Sequence, residues 1–150
     1  MTHSLEELIE TSGQNAEDKG FHDDGNLLRA VLDHLEHTTS DPVLSIKTPY
    51  GDVQMTLSHT FWTRLYAAYK GNRQFLIVSE VVEALDEVRN GKPSIYEVDG
   101  KPEGSAVELG DAVIRIADYA FEFNEPVVEA IDTKAAYNKT REKMHGGKLS

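Results

Sequence analysis

The chain contains no cysteine. That excludes disulfides, a thiolate nucleophile and any cysteine-based zinc or iron–sulfur site, and it fits a cytoplasm. Long apolar runs are missing as well, so no segment reaches transmembrane length and no membrane partner is expected. The opening Met1–Glu10 carries acidic residues where a signal peptide needs a basic start and an apolar stretch. Cations are scarce, with 15 Lys and Arg against 26 Asp and Glu and a formal net charge of −11. Nucleic-acid backbones are gripped by clustered Lys and Arg, so no nucleic-acid partner is expected. A free nucleotide would be repelled too, unless metal ions offset the carboxylates locally. Simple solubility is the other reading of the acidity.

What is present suits one soluble helical domain. A length of 150 residues supports a single core. A 39% hydrophobic and 27% charged composition, with mean hydropathy −0.44, implies much solvated helix surface. Residues 4 to 18 read as a first helix, with Ser4 and Glu7 placed for a capping box. Gly20 to Gly25 breaks it, and Asn26 to about His37 resumes helical spacing through Leu28, Val31, Leu32 and Leu35. Val43 to Leu57 alternates around Thr48-Pro49-Tyr50-Gly51-Asp52, the pattern of a short β-hairpin. A helical pattern returns from Leu57 to Tyr69, and Lys70-Gly71-Asn72 either closes or interrupts it. Gln74 to Arg89 is a helix stopped by Asn90-Gly91 and Pro93. Within the loop that follows, Tyr96 to Lys101 can turn through Asp99-Gly100 as a second small hairpin. Helices are expected over Ser105–Phe123 and from Pro126 to about Lys143, with His145-Gly146-Gly147-Lys148 as a loop. The fold expected is mainly α, a helical bundle with one or two short β-hairpins.

Chemistry concentrates in two acidic pairs, Glu80-x-x-Glu83 and Glu108-x-x-Asp111, on consecutive helices. Residues three apart share a helix face, so two such helices side by side gather four carboxylates. Carboxylates so gathered repel unless hard cations lie between them, and Mg²⁺ or Mn²⁺ prefers an all-oxygen site. Glu87 extends the first stripe by a turn. At ~100° per residue, Glu108, Asp111, Arg115, Asp118 and Glu122 fall within an arc of roughly 80° on an otherwise apolar helix. That stripe needs a metal, a basic residue or water as partner; the alternative is two solvated faces with Arg115 pairing its neighbours. The last helix carries Lys134, Asn138 and Arg141 on one face, which suits phosphate oxygens or simply the negative end of the helix dipole. Trp62, Tyr66 and Tyr69 can stack on a base or pack in the core.

In order along the chain, Asn15-Ala16-Glu17-Asp18-Lys19-Gly20-Phe21, the two acidic pairs, and Lys134-x-x-x-Asn138-x-x-Arg141-x-x-x-His145-Gly-Gly-Lys148 resemble the MazG-like all-α nucleotide pyrophosphohydrolases of small phage and bacterial type. The resemblance covers roughly residues 10 to 25 and 73 to 148. It implies a MazG-like bundle assembling through helix packing as a homodimer or homotetramer, in a bacterial or phage-infected host cytoplasm. It implies cleavage of a (deoxy)nucleoside triphosphate to the monophosphate and pyrophosphate, in general housecleaning or as a selective viral (d)GTP or dCTP hydrolase. Glu80, Glu83, Glu108 and Asp111 are then the ligands of two or three Mg²⁺ ions, with Mn²⁺ able to substitute, and Glu83 or Glu87 takes a proton from the attacking water. Lys134, Asn138, Arg141 and Lys148 are implied to hold the β and γ phosphates, while Asn15, Lys19 and Phe21 enclose the sugar or base. Two departures stand out: Ser79 occupies a position where the family often has a further glutamate, and residues 26–70 read as an insertion. A non-catalytic acidic helical module that binds another protein is the competing expectation.

Overall fold

A computed structural model describes residues 4–37, 41, 43–56 and 58–141. The chain is mainly helical, with two short antiparallel hairpins. Helix α1 spans Leu5–Asp18 and opens on the expected capping box. Ser4 Oγ accepts from the Glu7 backbone and Glu7 reaches back to the Ser4 backbone, at 3.1 and 2.9 Å. Helix α2 spans Asp23–Glu36, three residues earlier than the spacing of leucines predicts. The break is confined to the turn at Lys19–His22, because Gly20 takes a positive φ of 75° and Asp23 and Asp24 suit the positive start of a helix.

Strands β1 (Val43–Thr48) and β2 (Gly51–Thr56) pair in the register that sets Ile46 opposite Val53 and Thr48 opposite Gly51. Helix α3 then runs unbroken over His59–Arg89, about 46 Å by its 31 residues. The pause predicted at Lys70-Gly71-Asn72 is absent, because tertiary bonds hold the helix beside its glycine. Lys70 Nζ lies 2.8 Å from Glu125, and Arg73 is clamped by Asp118 and Glu122. Packing of this kind outweighs the ~1 kcal/mol helix cost of one glycine.

The second hairpin, β3 (Tyr96–Val98) with β4 (Lys101–Glu103), turns at Asp99-Gly100, both with positive φ. It delivers the chain to α4, Ser105–Phe123, through Gly104. At Gly104 φ is 115° and an added Cβ would lie 2.6 Å from the Ser94 carbonyl, so only glycine fits there. Asn124 ends α4 in the left-handed conformation, and α5 follows over Val127–Lys139. The last helix is shorter than expected. Beyond it, Thr140 and Arg141 donate to carbonyls three residues back, so the chain tightens and leaves the α-helix before Arg141. Lys143, His145 and Lys148 lie outside the described residues.

Helices α3 and α4 form the most extensive packed pair, followed by α1 with α4. Their direction is antiparallel, since Tyr69 and Arg73 meet Glu122 and Asp118 while Glu80 meets Arg115. The buried hydrophobic set is dominated by alanine: Ala16, Ala84, Ala112, Ala117 and Ala120, with Leu35 and Tyr119. Among the described residues no large side chain is fully buried, and Phe75, Val78, Val82 and Leu85 lie exposed along α3. Helices α1 and α4 approach so closely at Gly13 that a Cβ there would sit 1.9 Å from the Phe121 ring. Tyr66 and Tyr69, both half-buried, pack edge-on to Phe123.

Candidate metal centre

The antiparallel pairing brings Glu80 and Glu83 of α3 to Glu108 of α4. One carboxylate oxygen from each lies within 4.8 Å of the others. Glu80 and Glu108 are buried, at 6% and 7% exposure, while Glu83 is open to solvent. Burial raises the pKa of Glu108 above the usual glutamate range, and the charges of Glu83, Asp111 and Glu80 add to that rise. This carboxyl is therefore surrounded by like charge without a full complement of cations. Arg115 alone reaches directly into the cluster among the described residues, donating from Nε to Glu80 Oε1 at 2.5 Å. Lys101, on β4, is engaged at 2.8 Å by Glu103.

The fourth expected ligand stands apart from the three. Asp111 is exposed, one turn beyond Glu108 and outside the 4.8 Å group, although its charge bears on Glu108. Glu87, the alternative proton acceptor, receives a 2.8 Å hydrogen bond from the Tyr96 hydroxyl, which ties it to the second hairpin. That bond is the main reason the Tyr96 pKa is raised.

Asp111 belongs instead to the wall of a cleft of about 380 Å³ between α1, α3 and α4, within the general size range of small-molecule sites. Asn15 and Phe21 line the same cleft, as do Arg115 and, further along α4, Asp118. Three of the expected substrate and metal residues thus share one cavity that adjoins the carboxylates through Arg115. Lys19, at the end of α1, is exposed and does not line it. Lys134 and Asn138 sit on α5, which buries none of its residues, and the Lys134 ammonium lies over the Tyr137 ring. A larger, open depression of about 690 Å³ runs along α5 between Pro126 and Tyr137; no residue of the carboxylate cluster lines it.

The rest of the α4 stripe has found protein partners. Asp118 Oδ1 accepts from His22 Nε2 at 2.7 Å, and its Oδ2 meets the Arg73 guanidinium. Arg73 Nε also donates to Glu122 Oε2 at 3.0 Å, and the Tyr69 hydroxyl donates to Glu122 Oε1 at 2.6 Å. Burial and the Glu122 carboxylate push the Tyr69 pKa well above the ordinary tyrosine value. Neither His22 nor Arg73 is signalled by local sequence. Their one trace is the acidic stripe on an apolar helix, which demanded buried partners without naming them.

An all-oxygen donor set with two buried carboxylates fits a hard divalent cation. No protein-family model, curated protein or solved structure matches the chain, so the likeness to MazG-like enzymes rests on its own residues.

Proposed function

We propose that the protein is a metal-dependent nucleotide pyrophosphohydrolase that cleaves a (deoxy)nucleoside triphosphate to the monophosphate and pyrophosphate. The observation that carries this reading is the meeting of Glu80, Glu83 and Glu108 within 4.8 Å, joined through Arg115 to a cleft lined by Asp111, Asn15 and Phe21. Glu80, Glu83, Glu108 and Asp111 would hold two or three Mg²⁺ ions, with Mn²⁺ as substitute. Bound there, the ions supply neutralising charge for the phosphates and lower the pKa of the attacking water.

The chain's own groups divide the remaining tasks. Arg115 fixes one oxygen of Glu80 by its 2.5 Å bond. Glu83, exposed and without the tyrosine bond that occupies Glu87, is the better placed carboxylate to accept the proton of the attacking water. The resemblance assigns Lys134, Asn138, Arg141 and Lys148 to the leaving pyrophosphate, although Lys134, Asn138 and Arg141 do not line the cleft. Asn15 and Phe21 are assigned to the nucleoside. Lys19 has a weaker claim, being outside the cleft.

The test is a nucleotide panel assayed with Mg²⁺ for pyrophosphate release, repeated with Glu83→Gln and Asp111→Asn. Loss of a ligand disrupts the metal geometry, so turnover should fall by roughly 10²-fold or more in folded variants. Near wild-type turnover in both would overturn the mechanism, and no pyrophosphate from any nucleotide would favour the protein-binding alternative.

Assembly as a homodimer or homotetramer belongs to the same proposal. Phe75, Val78, Val82 and Leu85 are exposed and recur at alternating spacings of three and four along α3, the seam of a helix–helix contact. Light scattering at micromolar concentration should give a multiple of the chain mass; a monomeric mass throughout would count against it.

A further inference from the structure

We propose that the inner end of the cleft reads the edge of a nucleobase through one donor–acceptor couple, Arg73 and Asp118. The inference rests on the nucleotide reading above and adds the recognition chemistry at the far end of the substrate. Both residues line the cleft, and their side chains are 13% and 14% exposed. Asp111 and Asp118 are two turns apart on α4, about 10 Å, so a ligand held by its phosphates near Asp111 extends towards the couple.

The couple keeps hydrogen-bonding capacity beyond the bonds it already makes. Arg73 donates from Nε to Glu122 and from Nη2 to Asp118. A guanidinium carries five N–H groups, so donors remain. Asp118 accepts once on each oxygen, from His22 and from Arg73, and a carboxylate offers about four lone-pair sites. The pair therefore presents a donor beside an acceptor. Leu76 and Ile114 supply apolar wall, and Phe21, 62% exposed, offers a ring face for stacking. A flat heterocycle with an adjacent donor and acceptor on one edge satisfies all of these at once.

Selectivity follows from what lies behind the couple. His22, 2% exposed, holds Asp118 at 2.7 Å, and Glu122, 6% exposed, holds Arg73 at 3.0 Å. Asp118 and Arg73 are thus pinned from the rear and do not turn away to find other partners. The charges of the couple are met by each other and by His22 and Glu122, but a ring lacking edge groups would leave the spare N–H groups of Arg73 and the spare lone pairs of Asp118 desolvated without partners.

The experiment is calorimetric binding with Mg²⁺, using nucleoside triphosphates whose α–β bridge is nitrogen and resists cleavage. The natural bases are compared with benzimidazole, whose six-membered ring bears no edge donor or acceptor. The benzimidazole analogue should bind about 100-fold more weakly than the best natural analogue. In Asp118→Asn that gap should shrink to less than about tenfold while Mn²⁺ binding at the carboxylates persists. Benzimidazole binding within about threefold of the best natural base overturns the inference and leaves the nucleotide reading standing. Failure of every analogue to bind overturns both. The ligand comparison in the unaltered protein decides the matter even where the variant does not fold.

Discussion

At one end of the α3–α4 pair, Asp118 and Glu122 meet Arg73, His22 and Tyr69; at the other, Glu80, Glu83 and Glu108 meet chiefly one another. The two ends share the same helices and the same acidic stripe. They differ in what compensates the charge. Buried carboxylates paired with a guanidinium are internally satisfied, so that end is a structural clamp joining the α1–α2 turn to α3 and α4. Buried carboxylates with only part of a cation among them carry a desolvation cost that a divalent ion can relieve. The contrast leaves the second end the less compensated one, and it can be broken by experiment.

The largest effect on stability should come from Arg73→Ala, which leaves Asp118 and Glu122 facing each other without their shared cation. Removing one member of a buried pair costs about 3–5 kcal/mol. Urea unfolding measures it, and a loss below about 1 kcal/mol would mean that this end is no clamp.

The opposite sign is expected at the other end. A glutamate whose folded pKa is raised weakens the fold at pH values above that pKa, and the penalty fades as pH falls towards its unfolded value. Metal-free protein should therefore gain stability from Glu108 as pH drops from neutral towards the usual glutamate range. Glu108→Gln should raise the metal-free melting temperature at pH 7, flatten that pH response, and abolish stabilisation by Mg²⁺. A variant that melts lower without metal would erase the distinction between the two ends.

Smallest is Gly71→Ala, which tests how far the clamp, rather than the helix itself, holds α3 together. A Cβ at Gly71 meets nothing within 4 Å, so the change should stabilise by about 0.5–1 kcal/mol. Thermal melts showing destabilisation would place an unseen contact at that face.

Much of this contrast could be anticipated from residue order, though unevenly. The bounds of α4, the Ser4–Glu7 capping box and both hairpin turns follow from local signals, because caps and tight turns are decided by neighbours in sequence. The length of α3 was not legible, since Gly71 is a local breaker overruled by contacts from α4 and the residues after it. His22 was invisible for the same reason: its partner Asp118 is 96 residues away. Of the candidate site, Glu80, Glu83 and Glu108 converge as their spacing suggests, whereas Asp111 faces the cleft. Spacing by three puts side chains on one face but does not decide which neighbour that face meets first.

The alanines of the core act as a gauge. Ala84 is buried on α3, and Ala112, Ala117 and Ala120 on α4, where larger residues would hold the helices further apart. Carboxylates projecting from both helices reach a common point only at short separation. The methyl groups, with no chemistry of their own, thereby limit how far side-chain volume in this region can grow before the carboxylates of the two helices part.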